Sequence, residues 1–147
     1  MSYQNILVPI DGSDIAYSAI QHAAEIAKAF GSELTAISIV ADDPFAAADF
    51  YYSTDMLKEY IADATKNAEE ALSKAQQLTE QLGVKIQTKV IRDVVSATTV
   101  TKIAESSKTD LIVMGSHGRK GFQKLFLGSF AQDVLGQTQI PVLIVKQ

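Results

Sequence analysis

Two short segments concentrate the residue types that bind phosphate or sugar. The first is Pro9-Ile10-Asp11-Gly12-Ser13. The second is Gly115-Ser116-His117-Gly118-Arg119-Lys120-Gly121, followed by residues 122–127 and then Gly128-Ser129. Glycines let a backbone turn sharply and bring several N–H groups toward one point, which makes an anion cradle. Gly128-Ser129 precedes a helical pattern, and the free amides at a helix start favour a phosphate. Residues 115–130 hold Arg119, Lys120 and Lys124 and no acid, so this stretch is +3 in a chain of net charge −4, and the remainder is −7. Asp11 has two readings. Its carboxylate can serve a ligand, accepting from ribose hydroxyls as an acidic residue does in dinucleotide folds or reaching a metal that bridges to phosphate, or it can serve the turn Asp11-Gly12-Ser13-Asp14 as a capping group.

Several other chemistries lack their residues. There is no cysteine, so a disulfide framework, a thiolate metal site and a cysteine nucleophile are excluded. Neither a P-loop nor a Gly-x-Gly-x-x-Gly fingerprint nor a Gly-x-Ser-x-Gly elbow occurs. The only histidines are His22 and His117, too few and too far apart for a His/Cys metal site. His22 falls mid-helix and reads as a surface or partly buried side chain. His117 sits in the glycine loop, where it can contact phosphate, act as an acid or base, or stabilise the loop.

The elements that must position these segments alternate along the chain. Residues 5–10, 34–40, 84–91, 110–114 and 142–145 read as strands. From Asp14 to Phe30 apolar residues recur at helical spacing, with Ser13 or Asp14 as a start signal and Gly31 as a stop. Leu57, Ile61, Ala64, Ala68, Ala71, Ala75, Leu78 and Leu82 step by four and three. That seam suits a coiled coil, but is read here as a long helix laid on a sheet. Residues 97–106 and 129–135 are two further helices, with Gly136 expected to cap the last. Strand–helix repetition with fully apolar strands implies a parallel sheet covered on both faces. The expected fold is therefore a doubly wound, five-stranded α/β sheet, with strand one near the middle. Its ligand site is the switch point between strands one and four, beyond their carboxyl ends. Residues 41–54 form a long connection holding Phe45, Phe50, Tyr51 and Tyr52, read either as a lid or as a plug for the core.

The spacing Gly115-x-x-Gly118, nine residues, Gly128-Ser129 resembles the nucleotide-binding signature of the universal stress protein family. The segments 5–13, 110–119, 127–131 and 141–145 resemble the family's opening strand, fourth strand and loop, last helix and last strand. The resemblance spans the whole chain and implies strand order 3-2-1-4-5. It also implies ATP or a related adenine nucleotide at the switch point. On that reading Asp11 takes the ribose, and the backbones of Pro9, Ile10 and Val40 line the adenine. Gly115, Gly118, Gly128, Ser129 and the Phe130 amide hold the phosphates. Met114, His117 and Arg119 complete the site, and Mg or Mn is held through the phosphates rather than by protein ligands. Two residues depart from the family pattern. The turn Ile91-Arg92-Asp93-Val94-Val95-Ser96 lacks the usual glycine and proline, which would bring Asp93 toward phosphate. Phe130 stands where a small residue is usual.

The chain has 147 residues and is 47% hydrophobic and 20% charged, enough for one domain over 1–147 with an ordinary core. Its acidic balance argues against nucleic acid and anionic membrane as partners. No run approaches the ~20 apolar residues of a membrane span. The first residues lack a signal-peptide pattern, so a cytoplasmic location is expected. Pro141 followed by Val142–Val145 reads as an apolar edge strand in need of cover, hence a homodimer through it. The function expected is a stress-response regulatory protein that binds nucleotide and has a protein partner of unknown identity. Two other readings compete with it. One is a weak ATPase or nucleotidyl-transfer enzyme drawing on Ser116, His117, Ser129 or Asp93. The other is a dimeric interaction module with a vestigial site.

Overall fold

A computed structural model describes residues 2–44, 53–117 and 127–146. Its elements are β1 (Asn5–Pro9), α1 (Asp14–Phe30), β2 (Glu33–Val40), α2 (Thr54–Gln81), β3 (Gln87–Arg92), α3 (Ala97–Ser106), β4 (Leu111–Gly115), α4 (Ser129–Gln137) and β5 (Val142–Val145). All five strands run parallel in one sheet of order β3-β2-β1-β4-β5. The expected architecture and strand order are therefore the observed ones.

The strands are apolar throughout because both faces of the sheet are covered, and alternate residues divide between two cores. Ile6, Val8, Leu34, Ala36, Leu111, Val113 and Val145 pack with α1 and α2. Leu7, Ile37, Ile112 and Met114 pack with α3 and α4. Helix α1 turns Ala16, Ala19, Ala23 and Ala27 toward the sheet, with Ile20 fully buried among them. Small residues let the helix lie close, and each large aliphatic buried this way contributes about 1.5–3 kcal/mol. The helix starts where Ser13 Oγ accepts from the Ala16 N–H at 3.3 Å. It stops at Gly31, whose φ of 70° is left-handed and costs glycine little. Lys28 from its last turn donates to the Leu82 carbonyl at 3.3 Å, tying the end of α1 to the end of α2. The Asp110 carboxylate accepts from the Gln4 and Asn5 N–H groups at 2.8 and 2.9 Å, which fixes the entry of β1 beside β4.

Four expectations about the elements need correction. Strand β3 begins at Gln87 rather than at residue 84. Val84 is instead buried from the preceding turn, where its N–H donates to the Thr79 carbonyl at 3.0 Å. Gly136 does not cap α4. It lies inside the helix, which runs to Gln137 with Thr138 at the cap position, since glycine is tolerated within a helix at a modest cost. The connection after β2 is shorter than 41–54, because Ser53 caps α2 and Thr54 is its first residue. The four-three seam of α2 is fully buried only in its second half, at Ala68, Ala71 and Ala75, joined there by Leu72 and Thr79. Leu57, Ile61 and Ala64 are half-buried. The aromatics Phe45, Phe50, Tyr51 and Tyr52 lie outside the described residues.

Candidate functional site

The chain leaves β1 through α1 toward β2 and β3, then returns through α3 to β4 on the other side of β1. That reversal opens a crevice beyond the carboxyl ends of β1 and β4. A cavity of about 650 Å³ lies there, within the ~300–1,000 Å³ typical of small-molecule sites. Pro9, Ile10, Asp11 and Ser13 line one side. Val40 and Ala41 continue it from the end of β2. Met114, Gly115, Ser116 and His117 leave β4 on the other side, and Gly128, Ser129 and Phe130 open α4. Ten of the twelve residues expected at the site therefore share this one cavity. Gly118 and Arg119 lie outside the described residues, as do Lys120 and Lys124 of the basic stretch.

Gly128 sits where no side chain fits. Its N–H donates to the Ser116 carbonyl at 2.8 Å, and a Cβ there would stand 2.8 Å from that same oxygen and 3.4 Å from the His117 Cα. The β4 exit and the α4 start are thus pressed backbone to backbone. Among the described residues no side chain caps α4, so none competes with a ligand for the first amides of this nine-residue helix, whose Ser129, Phe130 and Ala131 line the cavity. Gly115 is tight for another reason, since a Cβ on it would come within 2.9 Å of the Ile15 side chain.

Asp11 resolves part of its ambiguity. Its Oδ1 accepts from the Ser13 N–H at 2.9 Å and from the Ser13 hydroxyl at 2.5 Å. This is the turn role, and it orients the serine that caps α1. The carboxylate is nevertheless exposed and lines the cavity, so the turn role leaves room for a ligand contact.

Asp93 does not line the cavity among the described residues. Its Oδ1 accepts from the Val94 N–H at 2.7 Å, and its own N–H donates to the Val40 carbonyl at 3.1 Å. Thr99 Oγ1 closes the turn by donating to the Val94 carbonyl at 2.7 Å. Side-chain hydrogen bonds hold this glycine-free turn, and the residue it presents to the cavity is Val95, 57% exposed. Phe130 finds room by packing half-buried against the α3/α4 core. His22, as expected, is on the surface.

One wall was not anticipated from the sequence. Tyr60, Ala64, Asn67, Ala68 and Ala71 of α2 line the cavity. They share one helix face at steps of three, four and one, but three of them also belong to the apolar seam, which looks like ordinary packing. The polar atoms of Tyr60 and Asn67 on that stripe were the only sign of another use.

Doubly wound parallel sheets with a glycine-bounded crevice at the switch point form a class that places ligands against backbone amides. Within that class, the universal stress protein family model matches residues 2–146. A universal stress protein of Methanocaldococcus jannaschii, MJ0531, is 38% identical over 145 residues, covering 99% of this chain and 83% of that protein. Among solved structures, the universal stress protein UspA from Lactobacillus plantarum superposes with a TM-score of 0.84 at 26% identity, covering 99% of each chain. A universal stress protein solved in complex with cAMP has a TM-score of 0.72 at 25% identity, covering 99% of this chain and 98% of that one. The chain belongs to the universal stress protein family.

Proposed function

We propose that this protein binds ATP or a related adenine nucleotide in the β1/β4 cavity and acts as a dimeric stress-response regulator. The observation that carries the reading is the convergence of Asp11, Val40, Gly115, Gly128 and Ser129 on one cavity of nucleotide size. The solved relative holding cAMP supports the ligand class. The apolar wall formed by Ile10, Val40 and the α2 alanines suits a base, Asp11 a ribose, and the uncapped start of α4 phosphate. On this reading a divalent ion is held through the phosphates of the nucleotide. A dimer would form through the outer edge of β5, where Leu143 is 37% exposed and no strand pairs on that side among the described residues.

The test begins with nucleotide released from purified protein by denaturation. Calorimetry with ATP, AMP and adenosine then follows, on the wild type and on Asp11→Ala and Gly118→Val. Binding that both variants weaken supports the site. Tight binding unchanged in both sinks it, and no binding by the wild type favours a vestigial site.

A further inference from the structure

Ser116 is held by its N–H, its carbonyl and its hydroxyl. It is 3% exposed. Its N–H donates to the Val145 carbonyl at 2.9 Å, and its carbonyl accepts from the Gly128 N–H at 2.8 Å. The residue is thus clamped between β5 and the start of α4. Its hydroxyl lies 2.9 Å from Nδ1 of His117. A buried hydroxyl carries one hydrogen that needs an acceptor. Among the described residues the acceptor offered to it is Nδ1. A ring nitrogen that accepts cannot itself carry hydrogen, so in the neutral ring the proton resides on Nε2. The ring carbon bonded to Nε2, Cδ2, lies 3.6 Å from where a Cβ on Gly128 would stand. The atom of the ring that approaches the start of α4 is thus one bond from Nε2.

We propose that Ser116 is a positioning residue that holds His117 in its Nε2–H form. His117 then joins the first amides of α4 as a donor to the phosphoryl group of the bound nucleotide. The assignment rests on the nucleotide reading above and adds a residue and a donor atom to it. The selection is by phosphate: AMP and ATP gain the contact, and adenosine does not.

The experiment has two arms. Nitrogen-resolved NMR of the His117 ring, recorded with the ring neutral, reads its tautomer in the wild type and in Ser116→Ala. The expected result is Nε2–H in the wild type and a smaller Nε2–H population in the variant. An Nδ1–H ring in the wild type overturns the proposal. Calorimetry forms the second arm. His117→Ala should weaken AMP and ATP by about five- to tenfold, the worth of one hydrogen bond, and leave adenosine unchanged; Ser116→Ala should weaken AMP and ATP in the same direction by a smaller factor, because the freed ring still adopts the Nε2–H form part of the time. His117→Gln places an amide donor near the position of Nε2 with no tautomer to set, so adding Ser116→Ala to it should cost no further affinity. Equal loss for adenosine and AMP, or equal loss in the His117→Gln background, overturns the assignment while the nucleotide reading stands. No binding of any of the three by the wild type overturns both. If Ser116→Ala fails to fold, titration of the wild type decides: the Nε2–H resonance must shift with AMP and not with adenosine.

Discussion

Substituting Gly128 by alanine tests the close approach on which the site is built. The backbone at Gly128, with φ −65° and ψ 156°, is open to any residue, so alanine pays no dihedral penalty there. What opposes it is contact: the new Cβ would stand 2.8 Å from the Ser116 carbonyl oxygen and 3.4 Å from the His117 Cα. Both are backbone atoms, and neither can rotate away. Relief requires the β4 exit to move from the α4 start, stretching the 2.8 Å bond from the Gly128 N–H to Ser116. Overpacking of this kind costs about 1–3 kcal/mol. For a chain of this size that corresponds to a fall in Tm of roughly 3–9 °C. The control lies in the same helix. A Cβ on Gly136 would meet nothing within 4 Å, and Gly136→Ala gains about 0.5–1 kcal/mol of helix propensity. Urea denaturation of the two variants and the wild type, with slopes compared, reads both effects. The two substitutions must act in opposite directions. If Gly128→Ala is neutral or stabilising with an unchanged slope, the backbone contact at the cradle is absent and the reasoning fails.

Asp110→Ala removes the acceptor for two N–H groups at the start of β1 and should cost about 1–3 kcal/mol in chemical denaturation; Asp110→Asn, which keeps one acceptor oxygen, should lose less. Ser13→Ala removes the cap of α1 and the hydroxyl that donates to Asp11, with an expected loss of about 0.5–2 kcal/mol. Ser13→Asp restores the cap, sets a second carboxylate beside Asp11, and should recover stability while binding adenosine more weakly than the wild type does. Ala64→Leu enlarges a half-buried residue of the α2 wall. Calorimetry should show adenosine and AMP weakened together while Tm hardly moves, because the added atoms enter the cavity rather than the packed core.

Local patterns carried a large share of what the structure shows. Helices α1 and α3 begin and end where apolar spacing, Ser13, Gly31 and the 97–106 pattern place them, since caps and turns of the chain are short-range chemistry. The ends that were misplaced depend on contacts made across the fold. Val84 continues the alternation of β3 and is buried, yet β2 pairs only from Gln87 onward. Nothing in residues 84–86 records where the neighbouring strand begins. Gly136 has the type of a cap, and only the continued course of α4 toward β5 makes it an interior residue.

The candidate site divides in the same way. Its floor was legible because glycines and an acid at strand ends follow from the topology rule for parallel sheets. Its roof was not. Ala64, Ala68 and Ala71 give one signal whether they press against a sheet or border a space, and the difference is set by how far α2 stands from β1 and β2. The Asp93 turn shows the same dependence. A missing glycine suggested a carboxylate facing phosphate, but that carboxylate accepts from the Val94 N–H while the Asp93 N–H donates to the Val40 carbonyl, and Val95 is left at the cavity.

By itself, then, the sequence determined the alternation of strands and helices, the parallel sheet, the family and the two segments that meet at the switch point. Each of these is written in residue type at fixed short spacing. The tertiary structure alone decided that Gly128 touches the Ser116 carbonyl, that the Ser116 N–H reaches the Val145 carbonyl of β5, and that α2 supplies a wall. Those contacts join positions far apart in the chain, and their geometry depends on how helices of particular side-chain bulk settle on the twisted sheet.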